Sequence, residues 1–384
     1  MKGAWMMTVQ NRSTAESGSG SQPLAGFVLR EWLPLVSGAG FLLTSLFTGR
    51  LGLCSRSEAE VLFILWVLLV AVKGLETHGL MAWISARLEG GHMLPLKLVT
   101  ATFLLAMVVT NDVSLVVMVP LTLGLSLEHR GLLVILEALA ANAGSALTPF
   151  GNPQNLFLYW YYDLDPLAFI KTIAPFSLFF LVLLLLAARL ISASPAAADE
   201  DEGCTAAIAK PGKNAIVYLL LLVVVLLSVL RLLPVAAGLA VVLYAVIFDR
   251  RTLKVDYGLL LTFFFFFGLA DNLQAMLAAR LSHTGHIFLL SALASQVISN
   301  VPAALMFAKF TVNWKALLWG VNAGGFGSLF GSLANLIAYR LYLNDRRASH
   351  PAAFTLYFLL FGYAAFFLAC GLCWFLFPVL SAGG

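Results

Sequence analysis

Two stretches of the sequence share one pattern, "NAGSALTPFGNPQN" from Asn142 to Asn155 and "NAGGFGSLFGSLAN" from Asn322 to Asn335. Each opens with Asn-Ala-Gly, carries Phe-Gly near its middle and closes with Asn. Glycine and proline interrupt helices, so we expect the first stretch to unwind partway and the second, richer in glycine, to do likewise. Because unwound backbone in lipid must line a polar cavity or be buried in protein, these stretches point to a polar centre inside a membrane protein.

The composition supports a membrane protein. Of 384 residues, 61% are hydrophobic and 11% are charged. The apolar residues come in runs of about 16 to 25, the length of helix that spans hydrocarbon. Helices such as "IVYLLLLVVVLLSVL", residues 216 to 230, are apolar on every face. We therefore predict an all-α polytopic membrane protein whose partner is the lipid bilayer, with no nucleic-acid partner.

The apolar runs predict about nine full spans plus two re-entrant hairpins. Seven continuous helices are expected near 32–49, 59–74, 167–190, 214–231, 234–248, 257–272 and 352–378. Two hairpins are expected at 95–125, around "TNDV", and at 286–311, around "SNVP". Two broken transmembrane helices, 130–161 and 314–342, contain the stretches quoted above.

The distribution of positive charge predicts the orientation. With a cytoplasmic N-terminus, 16 of the 23 Lys and Arg residues fall on the cytoplasmic side and the other 7 outside. The two hairpins then enter from opposite sides, as two inverted repeats require. The predicted regions are a polar cytoplasmic tail at 1–31, a first repeat at 32–191, a cytoplasmic linker at 192–213, and a second repeat with the last helix at 214–378.

The breaks are candidate binding segments. Their alignment pairs Asn142 with Asn322, Gly144 with Gly324, Thr148 with Ser328, Gly151 with Gly331, Asn152 with Ser332, and Asn155 with Asn335. Unwinding frees carbonyl groups that can bind a cation, and the following half-helix directs N–H groups towards an anion. Asn152 and Asn155 are expected to share a face of that half-helix, as are Ser332 and Asn335. Small residues also permit close helix packing, but two copies at matched spacing favour a site.

The hairpin tips are the second set of candidates. Thr110, Asn111 and Asp112 align with Ser299, Asn300 and Val301. Hydroxyl and amide groups can bind a partly dehydrated ion or a substrate. An acid in the bilayer is costly unless it is neutral, paired or ion-bound, so Asp112 is a candidate for ion coupling. The alternative for Asp112 is a helix N-cap. With Asn111 it forms a candidate Na⁺ site, and we expect no other metal and no cofactor.

Other charged residues receive weaker interpretations. Lys97 and Lys309 are expected to extend to the interface. Glu137 is either a second proton carrier or packed against a polar neighbour. Asp249 is expected to pair with the arginines that follow it, and Asp271 to end a helix.

The cysteines predict no disulfide framework. Cys54 and Cys204 are placed in different loops, while Cys370 and Cys373 fall within the last apolar helix. A lone Cys-x-x-Cys in lipid lacks further metal ligands, so packing is the favoured role of this pair.

Four motifs in order carry a family resemblance: "TNDVSLVVMVPLTL", "NAGSALTPFGNPQN", "SQVISNVP" and "NAGGFGSLFGSLAN". They resemble the ion transporter superfamily, which includes arsenite efflux permeases, citrate and dicarboxylate carriers, and some sodium/proton antiporters. The combination of "TPFGNPQN", "GSLANLIAYR" and "NDRR" is most similar to YbiR-like inner-membrane permeases. The resemblance spans roughly residues 30 to 378 and implies a bacterial inner-membrane location.

The resemblance implies a scaffold domain and a transport domain, the latter built from the two hairpins and two broken helices. It further implies a homodimer whose transport domain moves like an elevator. The implied binding residues are the tip and break residues named above: Thr110, Asn111, Asp112, Asn142, Thr148, Asn152, Asn155, Ser299, Asn300, Asn322, Ser328, Ser332 and Asn335. "TND" is similar to the tip of arsenite permeases, whereas sodium-coupled dicarboxylate carriers have Ser-Asn-Thr in both tips. This departure argues against dicarboxylate specificity and two-sodium coupling.

The leading functional hypothesis is a secondary transporter of a small anion or neutral oxyacid, such as an arsenite-like or small carboxylate substrate, coupled to H⁺ or Na⁺. No arginine lies in the tips or breaks to clamp a large, multiply charged anion. A sodium/proton antiporter on the same fold is the alternative. An intramembrane aspartyl protease using Asp249 and Asp271 is a remote one, because Gly-x-Gly-Asp is absent. A non-catalytic scaffold has no reason to keep two matched polar breaks.

Overall fold

A computed structural model describes residues 32–51, 54–88, 93–125, 127, 129–192, 211–281, 286–346, 348 and 350–381. The helices are α1 Trp32–Thr48, α2 Arg56–Thr77, α3 Leu80–Ala86, α4 Leu94–Val109, α5 Asn111–Gly124, α6 Arg130–Ala146, α7 Pro153–Tyr161, α8 Pro166–Ser192, α9 Lys213–Val229, α10 Leu239–Phe248, α11 Tyr257–Leu281, α12 Ile287–Ile298, α13 Asn300–Ala308, α14 Trp314–Gly324, α15 Leu333–Leu343 and α16 Pro351–Ser381. Across these described ranges the fold is entirely helical, which confirms the predicted class. The tail 1–31 and most of the linker, 193–210, lie outside them.

Several helices have the length and composition of membrane-spanning segments. Within the described ranges, three segments are long and apolar enough to cross a bilayer alone, Pro166–Ile191, Arg250–Met276 and Pro351–Leu376. Six shorter apolar helices accompany them, including Leu33–Thr48 and Lys213–Val229. Many large apolar side chains on these helices are exposed at the protein surface, for example Phe47 and Trp374. Such a surface is typical of a protein surrounded by lipid.

The two predicted hairpins are pairs of helices that meet at a single residue. Helices α4 and α5 meet at Thr110, and α12 and α13 meet at Ser299. Both predicted breaks are also present. Residues 147–152 separate α6 from α7, and residues 325–332 separate α14 from α15.

The halves of the chain interlock through these elements. The first helix of each hairpin packs on the broken helix of its own half, α4 on α6 and α12 on α14. The returning helix of each hairpin packs on the second half-helix of the opposite half, α5 on α15 and α13 on α7. Among the other helices, α1 packs on α11 and α9 packs on α2. The tips and breaks are therefore brought to one place.

Local sequence explains where several helices begin. Ser55 starts α2 with a capping box, because its hydroxyl accepts from the Glu58 N–H while the Glu58 carboxylate accepts from the Ser55 N–H. Pro153 opens α7, where its missing N–H costs no helical hydrogen bond. Helix α3, which the sequence did not predict, follows Gly79, whose φ of +77° suits glycine.

Two predicted helices differ from those observed. The predicted 234–248 helix is a 3₁₀ turn, Val235–Gly238, followed by the ten-residue α10. The predicted 257–272 helix runs on to Leu281, so the expectation that Asp271 ends a helix is wrong. An acid after an apolar run predicted a helix end, whereas this acid is paired with Lys309, just after the end of α13.

The described cysteines fit a packing role. Cys54, Cys370 and Cys373 are free thiols, and Cys373 belongs to the buried apolar core. Cys204 lies outside the described residues.

Candidate functional site

Each hairpin tip is hydrogen-bonded to the break of its own half. The backbone N–H of Asn111 donates to the Gly151 carbonyl at 3.1 Å, and the N–H of Asn300 donates to the Gly331 carbonyl at 3.0 Å. Thr110 and Ser299, the residues just before them, have φ angles of +84° and +74°. Such angles are strained for residues other than glycine, and they persist where the surrounding contacts hold them. Both tips are thus held in the same unusual turn.

The glycines that accept these bonds have no room for a side chain. A Cβ on Gly151 would collide with the Ser145 carbonyl, and one on Gly331 would collide with the carbonyls of Gly324 and Phe326. The breaks fold back on the ends of their own first half-helices, so only glycine fits at these two positions.

Asparagine side chains connect the two halves. The amide nitrogen of Asn142 donates to Oδ1 of Asn335 at 2.8 Å, and that of Asn322 donates to Oδ1 of Asn155 at 2.8 Å. These are reciprocal bonds, since each joins a first half-helix to the opposite second half-helix. Asn111 extends the network by donating to Oδ1 of Asn142 at 3.2 Å. All five side chains are buried.

Asn155 and Asn335 also hold their own breaks in shape. The amide nitrogen of Asn155 donates to the Ala146 carbonyl at 3.0 Å, and that of Asn335 donates to the carbonyls of Gly325 and Ser328 at 2.9 and 3.0 Å. Without these bonds the Ala146 and Gly325 carbonyls would have no partner among the described residues, because the helix is interrupted, whereas the Ser328 carbonyl also accepts from the Gly331 N–H at 3.1 Å. Asn155 and Asn335 therefore organise the backbone that a ligand would meet.

Asn152 and Ser332 start the second half-helices rather than lying within them. Oδ1 of Asn152 accepts from the Asn155 N–H at 2.9 Å, and the Ser332 hydroxyl accepts from the Ala334 N–H at 3.2 Å. Both are N-caps with extended backbone. The prediction placed Asn152 and Ser332 on the half-helices themselves, and this placement is wrong, because each half-helix begins one residue later.

Two hydroxyls of the breaks bind the first helix of the adjacent hairpin. Thr148 donates to the Met107 carbonyl at 2.7 Å, and Ser328 donates to the Gln296 carbonyl at 2.9 Å. Thr148 and Ser328 occupy aligned positions, and so do Met107 and Gln296, each three residues before its tip. Each break is therefore fastened to its hairpin in the same way.

The Gln296 side chain is a structural contributor that sequence reasoning missed. Its Oε1 accepts from the Ser328 N–H at 2.8 Å, and its Nε2 donates to the carbonyls of Gly324 and Phe326 at 2.9 and 3.2 Å. The signal was the one amide side chain in α12, which lies inside the quoted motif "SQVISNVP".

Asp112 has a different environment from the asparagines. It lies in the first turn of α5 and the N-cap is Thr110, so the alternative that Asp112 is only an N-cap is wrong. Its Oδ1 is buried and has no hydrogen-bond partner within the described ranges. Asp256, just before α11, is close enough to act on it electrostatically. Asn111, its neighbour, already uses Oδ1 to accept the Asp112 N–H at 3.0 Å.

Asn300, the counterpart of Asn111, differs in its side-chain contacts. The residue is buried, yet its amide makes no hydrogen bond to any residue that the structure describes. It lies beside Gly325 of the second break. In the described chain no cluster of three His, Cys, Asp or Glu side chains could hold a metal ion.

Lys309 and the acids Asp249 and Asp271 form ion pairs that the sequence did not predict. Lys309 bonds to Glu58 and to Asp271, each at 2.7 Å, so it does not extend to the interface as expected. Asp249 pairs with His78 at 2.6 Å rather than with the arginines that follow it. Both protease candidates, Asp249 and Asp271, are thus occupied by separate basic partners.

The chain is similar to one protein family and to several known proteins. The family model described as "Citrate transporter" matches residues 25–320. The chain belongs to the citrate transporter family. It is 34% identical over 295 residues to an uncharacterized transporter of Methanocaldococcus jannaschii, covering 74% of this chain and 81% of that protein. It is 35% identical over 297 residues to the inner membrane protein YbiR of Escherichia coli, covering 73% of this chain and 78% of YbiR.

A plant protein is similar over a shorter region. The silicon efflux transporter of Oryza sativa subsp. japonica is 30% identical over 172 residues, covering 40% of this chain and 35% of the rice protein. The resemblance to the ion transporter superfamily and to YbiR is confirmed. This family member is an integral membrane permease and not an enzyme, which excludes the aspartyl protease alternative.

Proposed function

We propose that this permease is a secondary transporter that carries a small neutral oxyacid or small anion, coupled to a gradient of H⁺ or Na⁺. The observation that supports the proposal most directly is the meeting of both tips and both breaks through the pairs Asn142 with Asn335 and Asn322 with Asn155. Irregular backbone inside a membrane protein lines a ligand site in other transporters.

The chemistry of the site favours a small, weakly charged substrate. The tips and breaks contain amides, hydroxyls and backbone groups but no arginine. A multiply charged anion such as citrate needs cationic or bidentate partners when it leaves water. A hydroxylated neutral acid needs hydrogen-bonding groups of both kinds, which the Asn300 amide and the Thr110 and Ser299 hydroxyls provide. The similarity to a silicon efflux transporter supports this class.

Asp112 is the proposed coupling residue. Its buried Oδ1 lacks a partner in the described structure, so the carboxylate is ready to bind a proton or, with Asn111, a sodium ion. Binding either cation neutralises the acid. The transport unit then crosses the membrane at a lower electrostatic cost than with a bare carboxylate.

The proposed mechanism is an elevator movement of two inverted repeats. Matched contacts support this architecture, namely the two tip-to-break bonds and the two crossed helix packings, α5 on α15 and α13 on α7. In this proposal the hairpins are re-entrant, nine helices span the membrane, the N-terminus is cytoplasmic, and two copies form a homodimer in a bacterial inner membrane. The hairpins and broken helices move against α1, α2 and α9 to α11.

The test is flux in vesicles that contain the purified protein. Silicic acid, arsenite, acetate and citrate are supplied in turn, with H⁺ or Na⁺ gradients imposed separately. We expect flux of a small oxyacid or carboxylate that depends on one gradient, with loss of coupling in Asp112→Asn. Glu60→Gln removes an acid at the protein surface and serves as the matched control. Full gradient-driven flux in Asp112→Asn would contradict its role.

The same experiment separates the alternative, a sodium/proton antiporter. The unpartnered oxygen of Asp112 is also the feature that an antiporter needs, because two cations must compete for one carboxylate. Cation flux that is unchanged when every oxyacid and anion is replaced would favour the antiporter over the oxyacid carrier.

A further inference from the structure

A second buried carboxyl lies in the first broken helix, apart from the tips and breaks. Glu137 is fully buried in α6. Its Oε1 accepts a hydrogen bond from the Thr122 hydroxyl at 2.6 Å, whereas its Oε2 has no partner among the residues that the structure describes. Thr122 belongs to α5, so this bond joins the returning helix of the first hairpin to the broken helix.

The surroundings of Glu137 provide no counter-charge. Helices α4, α5, α8, α14, α15 and α16 all pack on α6. From the described parts of these helices, the side-chain group that interacts with the Glu137 carboxyl is the Thr122 hydroxyl, through its hydrogen bond. The other charged residue of α6, Arg130, lies at its start and contacts the Leu123 carbonyl and Asp345. An ionised carboxylate with one donor is costly in such a site, and a neutral carboxyl is much less so.

The second half shows that packing alone does not require an acid here. Glu137 lies five residues before Asn142, and Leu317 lies five residues before Asn322. Leu317 is also fully buried, so an apolar side chain fills the corresponding position of α14. Compared with Leu317, Glu137 therefore adds a carboxyl group, which can bind and release a proton.

The position of Glu137 suits a proton site that communicates with the substrate site. Along the helix axis it lies about 10 Å from Arg130 at the start of α6 and about 8 Å from Asn142. It thus lies between one end of the helix and the asparagine network. Through Thr122 it contacts α5, the helix that begins with Asn111 and Asp112.

We propose that Glu137 binds and releases a proton during transport, and that its charge controls how firmly α5 is held against α6. This inference rests on the proposed function, which leaves the coupling ion open, and it names the proton. In the protonated state the proton is on Oε2 and Oε1 accepts from Thr122. When the proton leaves, the carboxylate keeps the full negative charge with one donor, and separation of α5 from α6 admits water that solvates it.

Infrared difference spectra test the proton directly. The protein is reconstituted in lipid without substrate and titrated with acid and base, as wild type, Glu137→Gln, Glu137→Leu and Asp112→Asn. We expect a carbonyl band of a protonated carboxyl that disappears as pH rises. The part of this band that comes from Glu137 is absent from both Glu137 variants and present in Asp112→Asn, whereas any part that comes from Asp112 is lost in Asp112→Asn alone. Glu137→Leu introduces the side chain found at the corresponding position 317, so this variant is expected to fold and can be compared with Glu137→Gln.

Hydrogen exchange tests the link to the hairpin. After correction for intrinsic rates, exchange in α5 of the wild type is expected to rise by up to about tenfold per pH unit once the proton is lost. Exchange in α13, the counterpart without such an acid, stays constant in the same sample. In Glu137→Gln the rise in α5 is lost. Thr122→Val keeps the acid but removes its donor, so the infrared band persists to higher pH.

Three results would overturn the proposal. The wild type lacks the band at every pH, the band of Glu137→Gln is the same as that of the wild type, or exchange in α5 of Glu137→Gln rises with pH as it does in the wild type. These readouts need no substrate. Their failure is therefore distinct from failure of the transport hypothesis, which the vesicle flux experiment decides.

Discussion

The side chains of Asn142 and Asn335 are 193 residues apart in sequence and joined by a hydrogen bond of 2.8 Å. The matching bond, from Asn322 to Asn155, joins the same two positions with the halves exchanged. Each bond links a first half-helix to the opposite second half-helix. The two halves therefore share one polar centre, and neither can form it alone.

The Asn142–Asn335 pair is expected to contribute to stability as a unit. Asn142→Ala leaves the Asn335 oxygen buried without its donor, which costs about 1–3 kcal/mol of unfolding free energy. The double variant Asn142→Ala/Asn335→Ala costs less than the sum of the single variants, because the partners are lost together. Equilibrium unfolding in mixed micelles measures this, with the exposed Asn344→Ala as control. Strictly additive costs would show that the two amides do not interact.

The break glycines are expected to tolerate no side chain. Gly151→Ala or Gly331→Ala forces the backbone carbonyl away from the tip N–H, because the added carbon meets main-chain oxygen atoms. We expect loss of transport and a lower melting temperature. Gly371→Ala, where nothing lies within 4 Å of the added carbon, is the matched control and should be neutral or slightly stabilising. Normal flux in Gly151→Ala would show that the tip contact is dispensable.

Gln296→Met is expected to loosen the second break. The change removes three bonds, one from the Ser328 N–H and two to the carbonyls of Gly324, at the end of α14, and Phe326. It introduces methionine, the residue found at the aligned position 107. A loss of about 1–3 kcal/mol in unfolding free energy is expected for buried groups left unpaired. Gln274→Met removes one exposed bond and should change stability little. Equal effects of the two variants would argue against this role of Gln296.

Lys309 is expected to hold the second hairpin to α2 and α11. Lys309→Met leaves the Glu58 and Asp271 carboxylates without their shared cation, which should cost about 3–5 kcal/mol because Lys309 and Glu58 are mostly buried. Adding Glu58→Gln should recover part of the loss. Lys73→Met, at an ion pair one-third exposed on both sides, should cost at most about 1 kcal/mol. Equal costs for the two lysines would contradict the difference in burial.

Cys54 is expected to react slowly with thiol reagents. Burial, with a smaller contribution from the nearby Glu58 carboxylate, raises the pKa of its thiol from 9.0 to about 11. At pH 8 the thiolate fraction is then about a hundred times lower than that of an ordinary thiol, and it grows about tenfold per pH unit up to the pKa. Alkylation rates of a variant lacking Cys204, Cys370 and Cys373 measure this. A rate like that of a free thiol at pH 8 would contradict the raised pKa.

The sequence predictions that the structure confirms depended on properties of neighbouring residues in the chain. A run apolar on every face has no stable place in water, so the membrane class followed from composition alone. Glycine and proline weaken a helix wherever they occur, so the interruptions at 147–152 and 325–332 could be predicted from the repeated stretch. The polar residues of "TND" and "SNV" likewise marked both turns, because polar side chains are unfavourable in the middle of an apolar helix and are better placed at a turn.

Charge pairing was harder to predict, because it depends on neighbours distant in sequence. Asp271 looked like a helix end, yet α11 continues for ten residues beyond it, and Lys309, just after α13, pairs with the acid. Asp249 precedes two arginines in sequence but bonds to His78 on α2. Ion pairs form where the packed helices bring charges together, which adjacent sequence does not reveal.

The sequence by itself determined that this protein is a helical membrane permease with two matched tips and two matched breaks. Only the tertiary structure decided which amides meet, that Asn152 and Ser332 are caps, and that Gln296 closes the second break. The physical reason is that helix interruption is a property of a few consecutive residues. A buried amide, by contrast, must find its partner wherever the folded chain places one.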